Sequence, residues 1–136
     1  MFGRKKQPPI KSLIAHGSQM DGNFGFSDGF RLDGSLIGNI LGQPDRPSIL
    51  VISESAVVVG EVCADHLIIN GKVDGPVHAR VMLELQPKAK ITGDVTYKAL
   101  EMHQGAIVAG MLRPILADQV AQPEEKPTLK LAANNP

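Results

Sequence analysis

The chain has 136 residues, enough for one domain with tails, and its 14 basic residues balance its 14 acidic residues. Tryptophan is absent and aromatic residues make up only 4% of the chain, which argues against a large globular core and favours a narrow aliphatic one. The single Cys63 excludes an intramolecular disulfide and suits a reducing cytoplasm. No apolar run has the length of a transmembrane helix or the pattern of a signal peptide.

The chain begins with a basic tail, residues 1–11. This tail carries four bases and no acid, whereas residues 12–112 carry seven bases and eleven acids. Two large apolar residues, Met1 and Phe2, lie beside the bases. The tail is therefore interpreted either as a solvated, disordered start or as a peptide that binds an anionic membrane surface. In the second interpretation the membrane-binding residues are Met1, Phe2, Arg4, Lys5 and Lys6.

A first internal repeat follows the tail. Residues 30–40 align without a gap with residues 67–77, so that Gly34 matches Gly71 at an offset of 37 residues. Apolar residues recur at alternate positions in both copies, which predicts strands with one buried face. Glycines interrupt the strands where the backbone must turn.

A second repeat has three copies, residues 50–62, 83–95 and 100–112, and a fainter copy at residues 14–24. Each full copy has the pattern apolar-x-apolar, three residues, Ala, one residue, apolar, one residue, Gly-x-apolar. Division of the chain after each Gly-x-apolar gives about six coils, mostly of 15 to 18 residues. The coils end near Phe24, Ile40, Val62, Val77, Val95 and Leu112.

Short strands, glycine corners and these repeats predict an all-β protein, a single right-handed parallel β-helix of about six short coils. A left-handed β-helix would require a strict six-residue period, which the variable coils lack. We predict a β-helix domain over residues 12–112 between the basic tail, 1–11, and a Pro-rich, disordered C-terminal tail, 113–136. The residues predicted to point into the core are Leu50, Ile52, Val58, Val62, Leu67, Ile69, Val73, Val77, Leu83, Leu85, Ile91 and Val95.

Candidate chemical groups are few. The four histidines are scattered over different coils, and Cys63 with His66 supplies only two of the three or four ligands that a metal site needs. No pair of carboxylates suggests hydrolysis, and the glycines recur as corners of repeats rather than in a phosphate-binding loop. The sequence thus predicts a protein that is not an enzyme, with no catalytic residue, cofactor or metal, and with neither nucleotide nor nucleic acid as a partner.

The Gly-x-Val series at residues 60–62, 71–77 and 93–95, with the Met-Phe-basic start and the Pro-rich end, resembles the bactofilins. The resemblance covers residues 12–112 as the fold and residues 1–9 as a membrane-targeting peptide. It implies a cytoskeletal protein that polymerises end to end, without nucleotide, into non-polar filaments on the inner face of the cytoplasmic membrane. The implied partners are further copies of the chain, an anionic membrane surface, and cell-wall or polar proteins, for which the filament is a scaffold of cell-shape or cell-wall machinery.

The physics of a solenoid predicts assembly independently, since each end exposes unpaired backbone groups and the cut end of an apolar column. The sequence leaves the polarity open, because contacts between like ends give a non-polar filament and head-to-tail contacts a polar one. The residues predicted at the polymerisation ends are Met20, Phe24, Phe26, Phe30, Leu100, Met102, Met111 and Leu112. Two alternatives are a non-polymerising adaptor on the same fold and a hexapeptide-repeat acyltransferase, which would need the six-residue period and a histidine between subunits.

Overall fold

A computed structural model of the chain describes residues 9–116. Over these residues the structure contains fifteen strands and no helix, and so no helix there is long and apolar enough to cross a membrane. The strands are β1 (Ile10–Ile14), β2 (Gln19–Asp21), β3 (Phe24–Phe26), β4 (Asp28–Leu32), β5 (Ser35–Ile37), β6 (Ile40–Gly42), β7 (Ser48–Ile52), β8 (Val57–Val59), β9 (Val62–Ile69), β10 (Lys72–Asp74), β11 (Val77–Leu85), β12 (Lys90–Thr92), β13 (Val95–Met102), β14 (Ile107–Ala109) and β15 (Leu112–Pro114).

Each turn of the chain contributes three strand segments, which stack in parallel on those of the next turn. Face A contains β1, β4, β7 and the second halves of β9, β11 and β13. Face B contains β2, β5, β8, β10, β12 and β14. Face C contains β3, β6, the first halves of β9, β11 and β13, and β15. The structure is a parallel β-solenoid of six turns, which confirms the predicted fold class.

Inward-facing residues form continuous columns along the solenoid. The six predicted coil ends, from Phe24 to Leu112, make one column on face C. The column on face B is Met20, Leu36, Val58, Val73, Ile91 and Val108. All twelve residues expected in the core are at most 2% exposed. Full burial of such a side chain contributes about 1.5–3 kcal/mol, so these columns are the main source of stability.

A column of glycines forms the corner between faces B and C. Its members, each with φ between 120° and 156°, are Gly22, Gly38, Gly60, Gly75, Gly93 and Gly110. A Cβ atom at Gly60 would lie 2.0 Å from the carbonyl oxygen of Gly38, one turn earlier. Only glycine adopts this backbone conformation readily and leaves room for that carbonyl group. The corner therefore requires the Gly of the repeated Gly-x-apolar pattern.

One partly buried arginine ties the loop between β6 and β7 to the next turns. Arg80 donates from Nε to Asp65 Oδ1 at 2.7 Å and from Nη2 to the carbonyl oxygen of Gly42 at 2.6 Å. The second Asp65 oxygen accepts the Ser48 N–H at 3.2 Å, and Ser48 Oγ accepts the Asp65 N–H at 3.1 Å. Ser48 is fully buried, so these bonds satisfy polar groups that water does not reach. We call these four residues the Arg80 clip.

The solenoid runs from Ile10 to Pro114. Strand β1 therefore includes two residues of the predicted basic tail, and β15 includes two of the predicted C-terminal tail. The rest of both predicted tails falls on residues 1–9 and 115–136, of which only Pro9, Ile115 and Leu116 lie within the described part of the chain.

Candidate functional site

The N-terminal end of the solenoid is formed by β1, β2 and β3. Within the described part of the chain each of these strands pairs on one side only, with β4, β5 and β6, and so leaves a free backbone edge. Three inward-facing residues close the column here: Ile14 and Phe24 are half-buried, and Met20 is 37% exposed. The outer side of β1 adds two exposed apolar residues, Ile10 and Leu13. This end is therefore an apolar plug surrounded by unpaired strand edges.

An ion pair holds β1 against β4 at this end. Lys11 Nζ lies 2.8 Å from Asp28 Oδ2, and an Arg46 nitrogen lies 4.0 Å from the same oxygen. The hydrogen bond from Lys11 lowers the pKa of Asp28, against the smaller opposing effect of burial. These charges lie beside the apolar plug and not on it, since Lys11 is exposed and the inward positions of β1 are Ser12 and Ile14.

The C-terminal end is formed by the second half of β13 with β14 and β15. Among the described strands, these segments pair only with β11, β12 and β13. The inward positions are half-buried or exposed, because no further turn of the described chain covers them: Leu100, Met102, Val108 and Leu112. Met111 is exposed beside them. Both ends thus combine an apolar centre with free strand edges.

Two of the residues predicted at the polymerisation ends are buried and do not contribute to the exposed surface there. Phe30 is fully buried, because it belongs to the second turn and β1 covers it. Phe26 lies in β3 but is only 6% exposed, since its ring packs against Phe30 with centroids 5.5 Å apart. The other six predicted residues lie at the two ends, and five of them have side chains that continue an inward column: Met20, Phe24, Leu100, Met102 and Leu112.

The residues predicted to bind membrane, Met1 to Lys6, lie outside the described residues. The described chain starts at Pro9, directly before β1. The basic tail is therefore joined to the N-terminal end of the solenoid, next to the exposed Ile10 and Leu13.

Cys63 and His66, the two metal ligands considered from the sequence, lie on different faces of the solenoid. Cys63 is on face C, where burial raises the pKa of its thiol, and His66 is on face A. His78 is half-buried on face C beside the Thr96 hydroxyl, and burial, followed by the charge of Arg80, lowers its pKa. A thiol with a raised pKa is not activated as a nucleophile.

The structure also brings together three groups that the sequence analysis did not combine. His103 Nε2 lies 3.0 Å from Glu101 Oε2 and 3.3 Å from Glu84 Oε2. Glu84 pairs directly with Glu101 in the register between β11 and β13. The repeat alignment indicates the pairing of the two glutamates, because its offset of 17 residues superimposes Glu84 on Glu101. We call these three residues the Glu–Glu–His cluster.

Comparison with known proteins identifies the family. The family model described as "Bactofilin: Polymer-forming cytoskeletal" matches residues 12–113, which is almost the whole solenoid. No curated protein and no solved structure matches the chain. Because the family match spans well over half of the sequence, the chain belongs to the bactofilin family of polymer-forming cytoskeletal proteins.

Proposed function

We propose that this protein assembles end to end, without nucleotide, into non-polar filaments at the inner face of the cytoplasmic membrane, where they act as a scaffold for cell-shape or cell-wall machinery. The observation that carries the proposal is the exposure of inward-facing apolar residues, together with free strand edges, at both ends of the solenoid. A free edge is a template for pairing with another chain. A second copy supplies both the missing edge and the cover for the apolar column.

Assembly requires both the exposed apolar residues and the free strand edges of an end, because burial of the apolar residues contributes less free energy than association costs. Met20, Met102 and Leu112 are 37–43% exposed, so burial of each contributes about 1 kcal/mol, less than half of the value for a fully exposed side chain. Association costs at least about 4 kcal/mol in lost translational and rotational freedom. The apolar plug of one end alone therefore does not offset this cost, and pairing of the three free strand segments must supply the rest.

Contacts between like ends would make the filament non-polar. In that arrangement a two-fold axis relates two copies at each contact, and N-terminal and C-terminal contacts alternate along the filament. The two ends differ in composition, since Met and Phe lie at the N-terminal end and Leu and Met at the C-terminal end. This difference is compatible with two separate contacts, each formed between the same end of two copies. The family resemblance supports this choice over a head-to-tail filament.

Cysteine cross-linking distinguishes the two arrangements. In a Cys63→Ser background, Leu112→Cys alone should give disulfide-linked dimers if like ends meet. A head-to-tail filament that continues the column on face C would instead give cross-links only when the Leu112→Cys and Phe24→Cys proteins are mixed.

Attachment to the membrane is assigned to Met1, Phe2, Arg4, Lys5 and Lys6. Each base near an anionic surface contributes about 1 kcal/mol, so one tail binds weakly once its ordering cost is subtracted. A filament presents many tails on one rod, which can raise the overall affinity ~100-fold or more. The exposed Ile10 and Leu13 of β1, which follow the tail in sequence, would add apolar surface to the contact with the bilayer.

Sedimentation of the purified protein without nucleotide tests assembly. The wild type should pellet, Leu112→Asp should remain in the supernatant, and Thr92→Asp should pellet like the wild type. Thr92 is the matched control because it is exposed on face B and the substitution adds the same charge. A wild-type protein that stays in the supernatant would favour the non-polymerising adaptor, and equal pelleting of both variants would exclude the ends as the contact.

Liposome co-sedimentation tests the membrane assignment. Deletion of residues 2–6 should release the protein from anionic vesicles without unfolding the solenoid, and added salt should weaken binding by the wild type. The assembly-defective Leu112→Asp variant, which keeps its tail, should also bind poorly. Full vesicle binding by that variant would contradict the role of multivalency.

A further inference from the structure

The Glu–Glu–His cluster lies on the two last turns of the solenoid. Glu84 belongs to the fifth turn, whereas Glu101 and His103 belong to the sixth. Glu84 and Glu101 are outward-facing neighbours on face A, and His103 follows β13 directly. The ligand atoms of the three side chains lie within 4.8 Å of one another.

The hydrogen bonding of this cluster is incomplete. His103 Nε2 is shielded from solvent, yet it makes no hydrogen bond of acceptable geometry within the described part of the chain. The two nearby carboxylate oxygens, at 3.0 and 3.3 Å, approach from directions that do not satisfy such a bond. A buried nitrogen without a partner is costly. A cation placed between the nitrogen and the two oxygens would satisfy all three groups.

We propose that Glu84, Glu101 and His103 bind one divalent transition-metal ion of the Zn²⁺ class. An imidazole with two carboxylates favours Zn²⁺, Co²⁺ or Ni²⁺ over Mg²⁺ and Ca²⁺, which prefer oxygen ligands alone. Three ligands at about 2.0–2.2 Å from a tetrahedral Zn²⁺ lie about 3.3–3.6 Å from one another. The distances of 3.0 and 3.3 Å from His103 Nε2 to the two carboxylate oxygens are close to that spacing, so small rotations of the side chains would admit the ion. Water completes the coordination, since the cluster faces solvent on one side.

Gln86 supports the cluster from outside. Its Nε2 donates to Glu84 Oε2 at 3.2 Å, which orients that carboxylate toward His103. Residues in this second layer commonly change metal affinity by 10–100-fold. The repeat alignment places Gln86 opposite His103, so the fifth turn has an orienting amide where the sixth has a ligand.

Metal binding would fasten the terminal turn to the rest of the solenoid. The sixth turn pairs with described strands on one side only, so its opening exposes less buried surface than the opening of an inner turn. A cation held by one residue from the fifth turn and two from the sixth opposes that opening. An effect of the metal on filament assembly would rest on the proposed function, whereas binding itself can be measured without it.

Isothermal titration with ZnCl₂ tests the site in the full chain. We expect one Zn²⁺ per wild-type chain, and at least about a 10-fold weaker affinity in both His103→Gln and Glu84→Gln. Glu54→Gln is the matched control, because Glu54 is exposed and has only a distant partner, Lys88 Nζ at 3.7 Å. Cys63→Ser is a second control that excludes binding by the thiol.

Hydrogen exchange shows which part of the chain the bound metal ion stabilises. Zn²⁺ should slow exchange in residues 99–114 and leave residues 10–42 unchanged, and His103→Gln should abolish the effect. The proposal is overturned if the wild type does not bind Zn²⁺, if His103→Gln binds it as tightly as Glu54→Gln, or if MgCl₂ binds equally well. None of these results depends on whether the protein forms filaments.

Discussion

The middle turns of the solenoid and its two ends use the same inward positions but differ in what covers them. Ile91 and Met20 belong to one column of face B, yet Ile91 is fully buried and Met20 is 37% exposed. Val95 and Leu112 are direct neighbours on face C and differ in the same way, with 0% and 39% exposure. The repeat pattern therefore sets the direction of a side chain, and the turn on which it lies determines whether it is buried or exposed.

The largest expected effect is the difference in stability between an aspartate substituted in the core and one substituted at an end. Ile91→Asp places a carboxylate without a partner in the aliphatic column, which should cost about 4 kcal/mol or more and remove most of the free energy of unfolding. Met20→Asp puts the same charge at an end, where water reaches it, and should lower that free energy by less than about 1 kcal/mol while it reduces pelleting. Thermal unfolding measures the first quantity and sedimentation the second.

Equal melting temperatures of the two variants would contradict the assignment of Ile91 to the core and of Met20 to an exposed end. A stable Ile91→Asp protein would mean that the register is shifted by one residue and that the supposed core faces solvent. All stability measurements are best made in the Leu112→Asp background, so that assembly does not contribute to the transition.

The repeats made the middle turns predictable from the sequence. Their alignment superimposes residues that the structure stacks, such as Val73 on Leu36, and the glycine corners recur because that backbone shape excludes other residues. The first turn was less predictable, since β1 has Ser12 where the later turns have the first apolar residue of the apolar-x-apolar pattern, and its cover over Phe30 was missed. Gly29 carried a local signal, because a Cβ there would lie 2.3 Å from the carbonyl oxygen of Pro9, the residue before β1.

Side-chain contacts between turns were not predictable for a different reason. Arg80 reaches the carbonyl oxygen of Gly42, 38 residues away in sequence, through a long side chain whose conformation depends on packing at that corner. The Glu–Glu–His cluster likewise depends on how His103 turns after β13. Periodicity gives the face on which a residue lies, but not which neighbour a flexible side chain selects.

The second effect compares two glycines with similar backbone shape. Gly60→Ala should destabilise the protein by roughly 3 kcal/mol or more, because the new Cβ would lie 2.0 Å from the Gly38 carbonyl oxygen at a φ of 147°. Gly22→Ala should cost only the backbone strain, about 1–3 kcal/mol, since nothing lies within 4 Å of its Cβ position. Denaturant titration of both variants measures the difference, and equal losses would show that strain alone governs this corner.

The third effect compares an inner ion pair with a terminal one. Arg80→Met should cost about 2–3 kcal/mol, because it leaves Asp65 and the Gly42 carbonyl group partly buried without their partner. Arg113→Met should cost at most about 0.5 kcal/mol, since Arg113 and Asp94 are more than half exposed and 3.8 Å apart. Chemical unfolding of the two variants gives both values, and an equal cost would contradict the role of the Arg80 clip.

The smallest expected effect is a pH dependence that arises in the middle turns and not at the ends. His78 is half-buried, whereas Arg113, in the same outward column on the last turn, is exposed. Burial lowers the pKa of His78 from its usual 6.5 in the folded protein, so the unfolded chain takes up the proton first as the pH falls. The contribution of neutral His78 to stability is therefore complete above about pH 6.5 and is lost as the pH falls through the lower pKa of the folded state.

We expect the melting temperature to fall between about pH 7.5 and about pH 5.5, and His78→Asn to reduce that fall, while substitution of the exposed His16 leaves it unchanged. An unchanged pH dependence in His78→Asn would show that other groups dominate acid destabilisation of the solenoid.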